Sequence, residues 1–129
     1  MKTIRNITLA ALAGTLAAMG PGAALAHHSG AMFDHTKVVT LNGTIKEFQW
    51  KNPHAWIVIL APGPSGPATE YSIECSTINI LARKGWTSQS FKPGDKISLS
   101  MNPMKDGAAS GLVLKATTVD GHALPDHDY

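Results

Sequence analysis

Alternating apolar and polar residues predict a first β-strand that starts near Val38. Apolar side chains lie at odd positions up to Ile45, which places them together on one face of a strand. Phe48 and Trp50 then continue the apolar set at even positions. Because one extra residue reverses the faces of everything after it, we predict a β-bulge or sharp bend near Lys46–Glu47.

Four more strands and one short helix follow along the chain. The segment from Ala55 to Ala61 is apolar at every position, which is typical of a central strand covered on both faces and places Trp56 in the core. The later strands alternate and are separated by turns that contain Pro and Gly. After the first strand, the predicted elements are strands near 55–61, 71–75, 97–101 and 111–119, and a helix over 77–84.

The order of three strands, a helix and two strands is that of an OB-fold, a small five-stranded and partly open barrel. The bent first strand supports this prediction, because such a strand has to pair with both halves of a closing barrel. Five strands of this length also fit a small β-sandwich, in which they pack as two sheets. The sequence thus predicts an all-β fold with one short helix, either an OB-fold-like barrel or a small β-sandwich.

The first 26 residues have the three parts of a secretory signal peptide. Two basic residues open it, an apolar run follows over 7–19, and Ala24–Leu25–Ala26 fits the small-x-small cleavage pattern. We therefore expect cleavage after Ala26 and a periplasmic or secreted mature protein with no membrane anchor. The mature chain is predicted to contain an N-terminal arm (27–37), the OB-like domain (38–119) and a flexible tail (120–129).

Removing the predicted signal changes the charge of the chain. The signal contains two of the 11 basic residues and none of the nine acidic ones, so the mature chain carries nine of each. A formally neutral domain lacks the basic surface typical of nucleic-acid binding, so no nucleic-acid partner is expected. All six histidines lie in the mature chain. Cys75 is the single cysteine, so it cannot form an internal disulfide, and its strand position predicts a buried side chain.

Several stretches of the chain resemble one family of small secreted bacterial proteins. They are AHHS with a following FD, LNGTIKEFQWKNPHAWI, RKGWT with KPGD, and a late DG. The family is known only as domain-of-unknown-function family 6152, and the resemblance covers essentially the whole mature chain. Its most specific part is W-x-N-P-H-A-W, which runs here from Trp50 to Trp56. The resemblance implies secretion and a compact β domain, and it implies no catalytic residues.

The histidine at the predicted mature N-terminus is the first candidate metal ligand. His27 offers its α-amine and its ring Nδ1 to one ion, and a second histidine, His54 or His35, would complete a T-shaped set of nitrogens. Cu(II) favours such tetragonal nitrogen coordination. Copper is therefore the predicted cofactor, if the protein has one.

An OB-fold places the loop after its first strand and the loop after its fourth strand beside the usual ligand face. The first loop carries His54, and the second carries Met104, whose soft thioether suits copper. A binding rim is predicted from Trp50, Asn52 and His28, in which Trp50 is either a stacking platform or a lid over the barrel end.

Three functions remain open from the sequence. The first is a periplasmic binding module for copper, the second is a metal-free interaction domain that docks a periplasmic protein partner, and the third is a copper-dependent oxidoreductase. The chain contains no G-x-S-x-G, C-x-x-C or H-E-x-x-H motif and no paired glycine-rich phosphate loop. No catalytic residues are therefore assigned, and a non-enzymatic binding module is the preferred prediction.

Overall fold

A computed structural model describes residues 30–63 and 65–127. The predicted signal peptide and the two histidines that follow it, His27 and His28, lie outside these residues. Six strands, one α-helix and one short 3-10 helix make up the described part. In chain order they are the 3-10 helix Gly30–Met32, β1 Val39–Gln49, β2 Trp56–Pro62, β3 Ala68–Glu74, α1 Ile78–Arg83, β4 Lys96–Pro103, β5 Ser110–Thr117 and β6 Ala123–Pro125.

Five of these strands close into a barrel. Antiparallel pairs join them in the order β3-β2-β1-β4-β5, and a parallel pairing between β3 and β5 completes the ring. This strand order, with a short helix between β3 and β4, is that of an OB-fold, so the predicted barrel is confirmed over the alternative sandwich. Among the described residues, no helix is long and apolar enough to cross a membrane.

Strand β1 serves both halves of the barrel, as its predicted bend requires. Its first part pairs with β4 from Val39 to Thr44, and its second part pairs with β2 from Thr44 onwards. The register of the second pairing shifts between Ile45 and Glu47, which confirms the predicted bulge. At the change of partners, a Cβ on Gly43 would overlap the backbone oxygen of Leu60, so the close approach of the strands requires glycine.

The core consists of inward-facing side chains from all five barrel strands. Leu81 of α1 and Trp86, which follows the helix, belong to the same buried cluster and cover one part of it. Because successive side chains of a strand point to opposite faces, the residues between these core positions face outward. Cys75, directly after β3, joins the inward-facing strand residues Leu41, Ile45, Ile57, Ile59, Ala61, Tyr71, Ile73, Ile97, Leu99, Met101, Val113 and Ala116.

Trp56 corrects one prediction about the core. It is half-buried and lies outside the core cluster, so its placement in the core from sequence is wrong. Strand β2 is apolar on both faces, and Ile57 and Ile59 take the inward positions. Trp56, Val58 and Leu60 therefore share the outer face of the barrel.

The described segments before β1 and after β5 both pack on the barrel. On the arm, Phe33 is buried and bridges to Met104, which extends the β4 edge. At the other end, the predicted flexible tail (120–129) contains the strand β6 (Ala123–Pro125), which pairs with β5 and buries Leu124. Pairing with β6 satisfies backbone groups on β5 that would otherwise face solvent, which is a physical reason for this packing.

Candidate metal-binding site

His54 lies at the outer rim of the barrel, between the end of β1 and the start of β2. It follows the cis peptide bond between Asn52 and Pro53, and its side chain is 40% exposed. Its Nδ1 atom is buried and lies 2.6 Å from Oε1 of Glu74, although the direction of an N–H on Nδ1 misses that of an aligned hydrogen bond. The imidazole therefore lies with its Nδ1 side against the Glu74 carboxylate.

Glu74 is a buried carboxylate on the outer face of the barrel. It is the last residue of β3, between the inward-facing Ile73 and Cys75, and its side chain is only 5% exposed. Its neighbours across the sheet are Trp56 on β2 and Leu112 on β5. A buried charge needs a partner, and His54 provides one here.

The pair of His54 and Glu74 can present one ring nitrogen to a ligand. A neutral histidine has one nitrogen that donates and one that accepts, and a carboxylate beside Nδ1 favours the proton there. The lone pair then lies on Nε2, which is the ring nitrogen remote from Glu74. In known metal sites a histidine often donates its other ring N–H to a carboxylate; here the two groups are close, but the hydrogen bond is not aligned.

His35, the other histidine proposed as a metal ligand, has both ring nitrogens engaged. Nε2 lies 2.8 Å from the backbone oxygen of Gly30, and Nδ1 lies 3.3 Å from Oδ1 of Asn102. The amide of Asn102 is oriented by its Nδ2, which donates to the backbone oxygen of Lys37 at 2.7 Å. His35 therefore fastens the arm to β4 in this arrangement, and the structure assigns it an anchoring contact.

The predicted convergence of His54 with Met104 is not seen in the described contacts. Met104 pairs with Phe33 of the arm and donates its backbone N–H to Ser110 at 3.3 Å. His54 instead lies beside Glu74. The structure thus places the two candidate ligands on different elements of the rim, each with its own neighbours.

The predicted binding rim contains one covered and one exposed residue. Trp50 is half-buried, packs against the core and lies 5.8 Å from Phe48 between ring centroids. The two rings are tilted at 57° to each other. Asn52 is exposed in the turn before His54, and His28 lies outside the described residues.

A polar cluster near the C-terminus superficially resembles a nucleophile–base–acid series. Nε2 of His127 lies 3.3 Å from Oγ of Ser76, and Nδ1 lies 3.4 Å from Oδ2 of Asp126. However, Nδ1 is closer to the backbone oxygen of Val113, at 2.8 Å, and Asp126 Oδ2 accepts the backbone N–H of Ser76. These contacts fasten the end of the chain to β3 and β5, so we assign the cluster a structural role.

Cys75 is fully buried in the core, as its strand position predicts. Burial raises the pKa of the Cys75 thiol well above its usual value, and the nearby charges of Asp126 and Glu74 raise the pKa further. The thiolate is the reactive form of cysteine. Cys75 is therefore neither a nucleophile nor a ready metal ligand in the folded protein.

Within residues 30–63 and 65–127, no group of three or more His, Cys, Asp or Glu side chains is placed to hold a metal ion. His54 thus offers a single ligand with a carboxylate behind it. A tetragonal site that uses His54 requires further nitrogen ligands from outside the described residues.

The chain belongs to the family of unknown function DUF6152, whose model matches residues 15–115. This confirms the family that the sequence resembles. No curated protein sequence matches the chain. Among solved structures, the chain is similar to the mitochondrial single-stranded DNA binding protein Rim1 of S. cerevisiae, with 16% sequence identity, coverage of 70% of this chain and 97% of that chain, and a TM-score of 0.43. At that level, the likeness carries no information about ligands.

Proposed function

We propose that this member of DUF6152 is a small extracytoplasmic module that binds Cu(II) through His54 and the mature N-terminus at His27. The observation that carries the proposal is that His54 and the N-terminal arm meet the same outer face of the barrel. His54 contacts Glu74, and His35 of the arm contacts Asn102. Glu74 and Asn102 both pair with Leu112 of β5, from opposite sides.

The distances along this face support a shared site. Glu74 and Asn102 lie two strand spacings apart, a distance of about 10 Å. The arm is fixed at Gly30 by its contact with His35. Three residues lead from Gly30 back to His27, and an extended chain of that length spans at most about 10 Å. This short connection along the chain supports the proposal that the N-terminus created by cleavage after Ala26 shares a site with His54.

The chemistry of the donors selects copper. The α-amine and ring Nδ1 of His27 would chelate one ion, and Nε2 of His54 would add a third nitrogen. Cu(II) prefers tetragonal nitrogen coordination and binds such donors more tightly than the other divalent first-row metals. The described residues provide no alternative group of three charged or imidazole ligands, so the N-terminal donors are essential to the proposal.

A competition titration tests the proposed ligands. The protein is produced with His27 as its first residue, and Cu(II) is titrated against a chromophoric chelator. We expect the protein to bind one equivalent of Cu(II) tightly. The substitution His54→Ala should weaken the affinity for this equivalent by at least tenfold. The matched control is His122→Ala, which removes an exposed histidine from the turn before β6. Equal loss of affinity in both variants, or no tight equivalent in the parent protein, would contradict the proposal.

A second candidate function is a metal-free protein-interaction domain. The observation that favours it is the outward apolar row of Trp56, Val58 and Leu60 on β2, in which Leu60 is 41% exposed, Trp56 is half-buried and Val58 is buried. Apolar side chains on an outer sheet face are typical of a surface that docks a partner. A folded protein that shows no tight copper equivalent would make this the working hypothesis.

A further inference from the structure

The segment 123–127, which we call the C-terminal clasp, alternates between exposed and buried side chains. Ala123 and Pro125 are exposed, whereas Leu124 is 3% exposed and Asp126 is 1% exposed. An extended segment points successive side chains to opposite sides, so the two buried ones enter the surface beneath it. The clasp therefore lies on the barrel in the manner of a bound peptide.

The pocket that holds Leu124 lies between β5 and the end of α1. Leu124 is opposite Ala116 of β5 and belongs to the core cluster together with Trp86. A Cβ on Gly85, directly after the helix cap, would lie 3.9 Å from Cδ2 of Leu124. The indole Nε1 of Trp86 donates to the backbone oxygen of Pro125 at 2.8 Å. This pocket accepts an apolar side chain and also holds the backbone next to it.

Asp126 enters a second, polar pocket at the end of β3. The backbone N–H of Ser76 donates to Oδ2 of Asp126 at 2.8 Å, and the ammonium group of Lys84 donates to the backbone oxygen of Asp126. Oδ1 of Asp126 is buried and has no hydrogen-bond partner among the described residues. Burial of a carboxylate that is only partly hydrogen-bonded costs free energy. Asp126 therefore holds the clasp less firmly than a fully hydrogen-bonded group would.

These contacts are the ones by which proteins bind an added β-strand. In that mode, main-chain hydrogen bonds provide affinity and pockets for alternate side chains provide specificity. The clasp forms three strand pairs with β5, and the backbone N–H of Asp126 donates to the oxygen of Leu114 at 2.8 Å. The pockets for Leu124 and Asp126 supply the second feature. We call this surface the clasp groove; it is formed by Ser76, Lys84, Trp86, Leu114 and Ala116.

We propose that the clasp groove binds an extended segment of another protein, and that the C-terminal clasp is its intramolecular competitor. The clasp itself shows which chemistry fits the groove. The segment carries a leucine-sized apolar residue, followed two residues later by a carboxylate that accepts the N–H of Ser76 and lies near the cation of Lys84. The proposal is independent of the copper site, since no residue of the clasp groove is a proposed copper ligand.

The turn between β5 and the clasp favours a separate partner over a second copy of the chain. The backbone N–H of Thr118 donates to the oxygen of His122 at 2.9 Å, and the N–H of His122 donates to Oγ1 of Thr118 at 3.0 Å. Exchange of the clasp between two copies would require this bonded turn to open. The short tether also gives the clasp a high effective concentration at the groove, so a partner binds only when the clasp is weakened or released.

Native-state hydrogen exchange of the parent protein tests whether the clasp opens on its own. The amide of Asp126 donates to Leu114, and the amide of Ile45 donates to Asp95 in the barrel, both at 2.8 Å. A unit that opens locally exposes its amides more often than global unfolding does, so we expect a protection factor at least about tenfold lower for Asp126 than for Ile45. Equal protection factors would mean that the clasp opens only with the whole barrel, which would overturn the proposal.

A peptide titration tests whether the clasp groove is a binding site. The probe is a capped synthetic peptide of residues 121–127, and the receptor is the whole chain with Leu124→Ala and Asp126→Ala, which removes both anchoring side chains from its own clasp. We expect saturable shifts of the Ser76 amide and the Trp86 indole N–H in this variant, and none in the parent at the same peptide concentration. A peptide with the same two substitutions should bind at least about tenfold more weakly, because burial of one leucine is worth more than that factor.

The matched control is Val119→Ala, which changes an exposed residue next to the turn and should behave as the parent does. Absence of shifts in the folded double variant, or equal affinity for both peptides, would overturn the proposal. A parent that is dimeric in light scattering and becomes monomeric on Leu124→Ala would assign the groove to a second copy and overturn it as well. Dispersed amide spectra show that each variant is folded, and Asp126→Ala alone replaces the double variant if the latter is not.

Discussion

Asn102 lies against His35, with its side-chain oxygen 3.3 Å from Nδ1 of the imidazole, and this contact fastens the N-terminal arm to β4. Asn102 is fully buried, and its amide nitrogen donates to the backbone oxygen of Lys37. One side chain on β4 thus holds the arm at two points. The arm in turn leads to the N-terminal nitrogens that the proposed copper site requires.

Replacement of Asn102 by Ala should loosen the arm and destabilise the protein. The substitution removes both contacts of the Asn102 amide, and a typical intramolecular hydrogen bond contributes about 0.5–1.5 kcal/mol. Urea denaturation measures this loss. Hydrogen exchange of the amides near Phe33 should also become faster than in the parent. If the variant has the same stability and the same exchange rates as the parent, Asn102 does not hold the arm.

Leu124 should contribute as much to stability as a residue of the barrel itself. It is 3% exposed and belongs to the core cluster, although it lies on the short strand β6. Leu124→Ala is expected to cost about 2–5 kcal/mol, as is usual for a buried leucine. The control Val119→Ala changes an exposed residue and should cost less than about 0.5 kcal/mol. Thermal unfolding measures the loss of stability in both variants. Equally small losses would mean that the C-terminal segment is loosely held.

Cys75 should be unreactive until the protein unfolds. Its thiol is buried and its pKa lies well above the usual value, so at pH 9 little thiolate is present in the folded state. Labelling by iodoacetamide should therefore be slow in buffer and fast in denaturant, with the change following the unfolding transition. Rapid labelling of the folded protein at pH 9 would contradict the burial of this strand position.

Asp34 should make stability depend on pH in acid. Hydrogen bonds from Thr36 and the nearby ammonium of Lys37 lower the pKa of Asp34 from 3.8 to about 2. A lowered pKa in the folded state means that this contribution is fully present above about pH 4 and is lost as the pH falls through about 2. Denaturation between pH 2 and 5 should show a decline in the parent that is smaller in Asp34→Asn. The same decline in both proteins would assign the acid sensitivity to other groups.

The sequence predicts the barrel well because its decisive signals are local. The change from odd to even apolar positions between Ile45 and Phe48 is visible within a few residues, and it marks the bulge where β1 changes partners. Trp56 could not be placed in the same way. Strand β2 is apolar on both faces, so periodicity does not distinguish its inner side from its outer side.

The relationship between His54 and Glu74 is harder to predict, because it depends on the pairing of β2 with β3. Twenty positions separate the two residues, and the register that places Glu74 opposite Trp56 emerges only when the barrel closes. One local signal was available. Glu74 lies between Ile73 and Cys75 in an alternating strand, which marks it as outward-facing. The alternation of apolar and polar residues does not show that Glu74 is nevertheless buried on the outer face.

The central claim is that the N-terminal amine and His54 bind copper together, and Cu(II) electron paramagnetic resonance tests it most directly. Two samples are compared, one that begins at His27 and one with a single extra residue before it, which converts the amine into an amide. We expect a nitrogen-rich tetragonal signal from the sample that begins at His27, which the extension abolishes and His54→Ala alters. Similar spectra from the mature and extended proteins would contradict it.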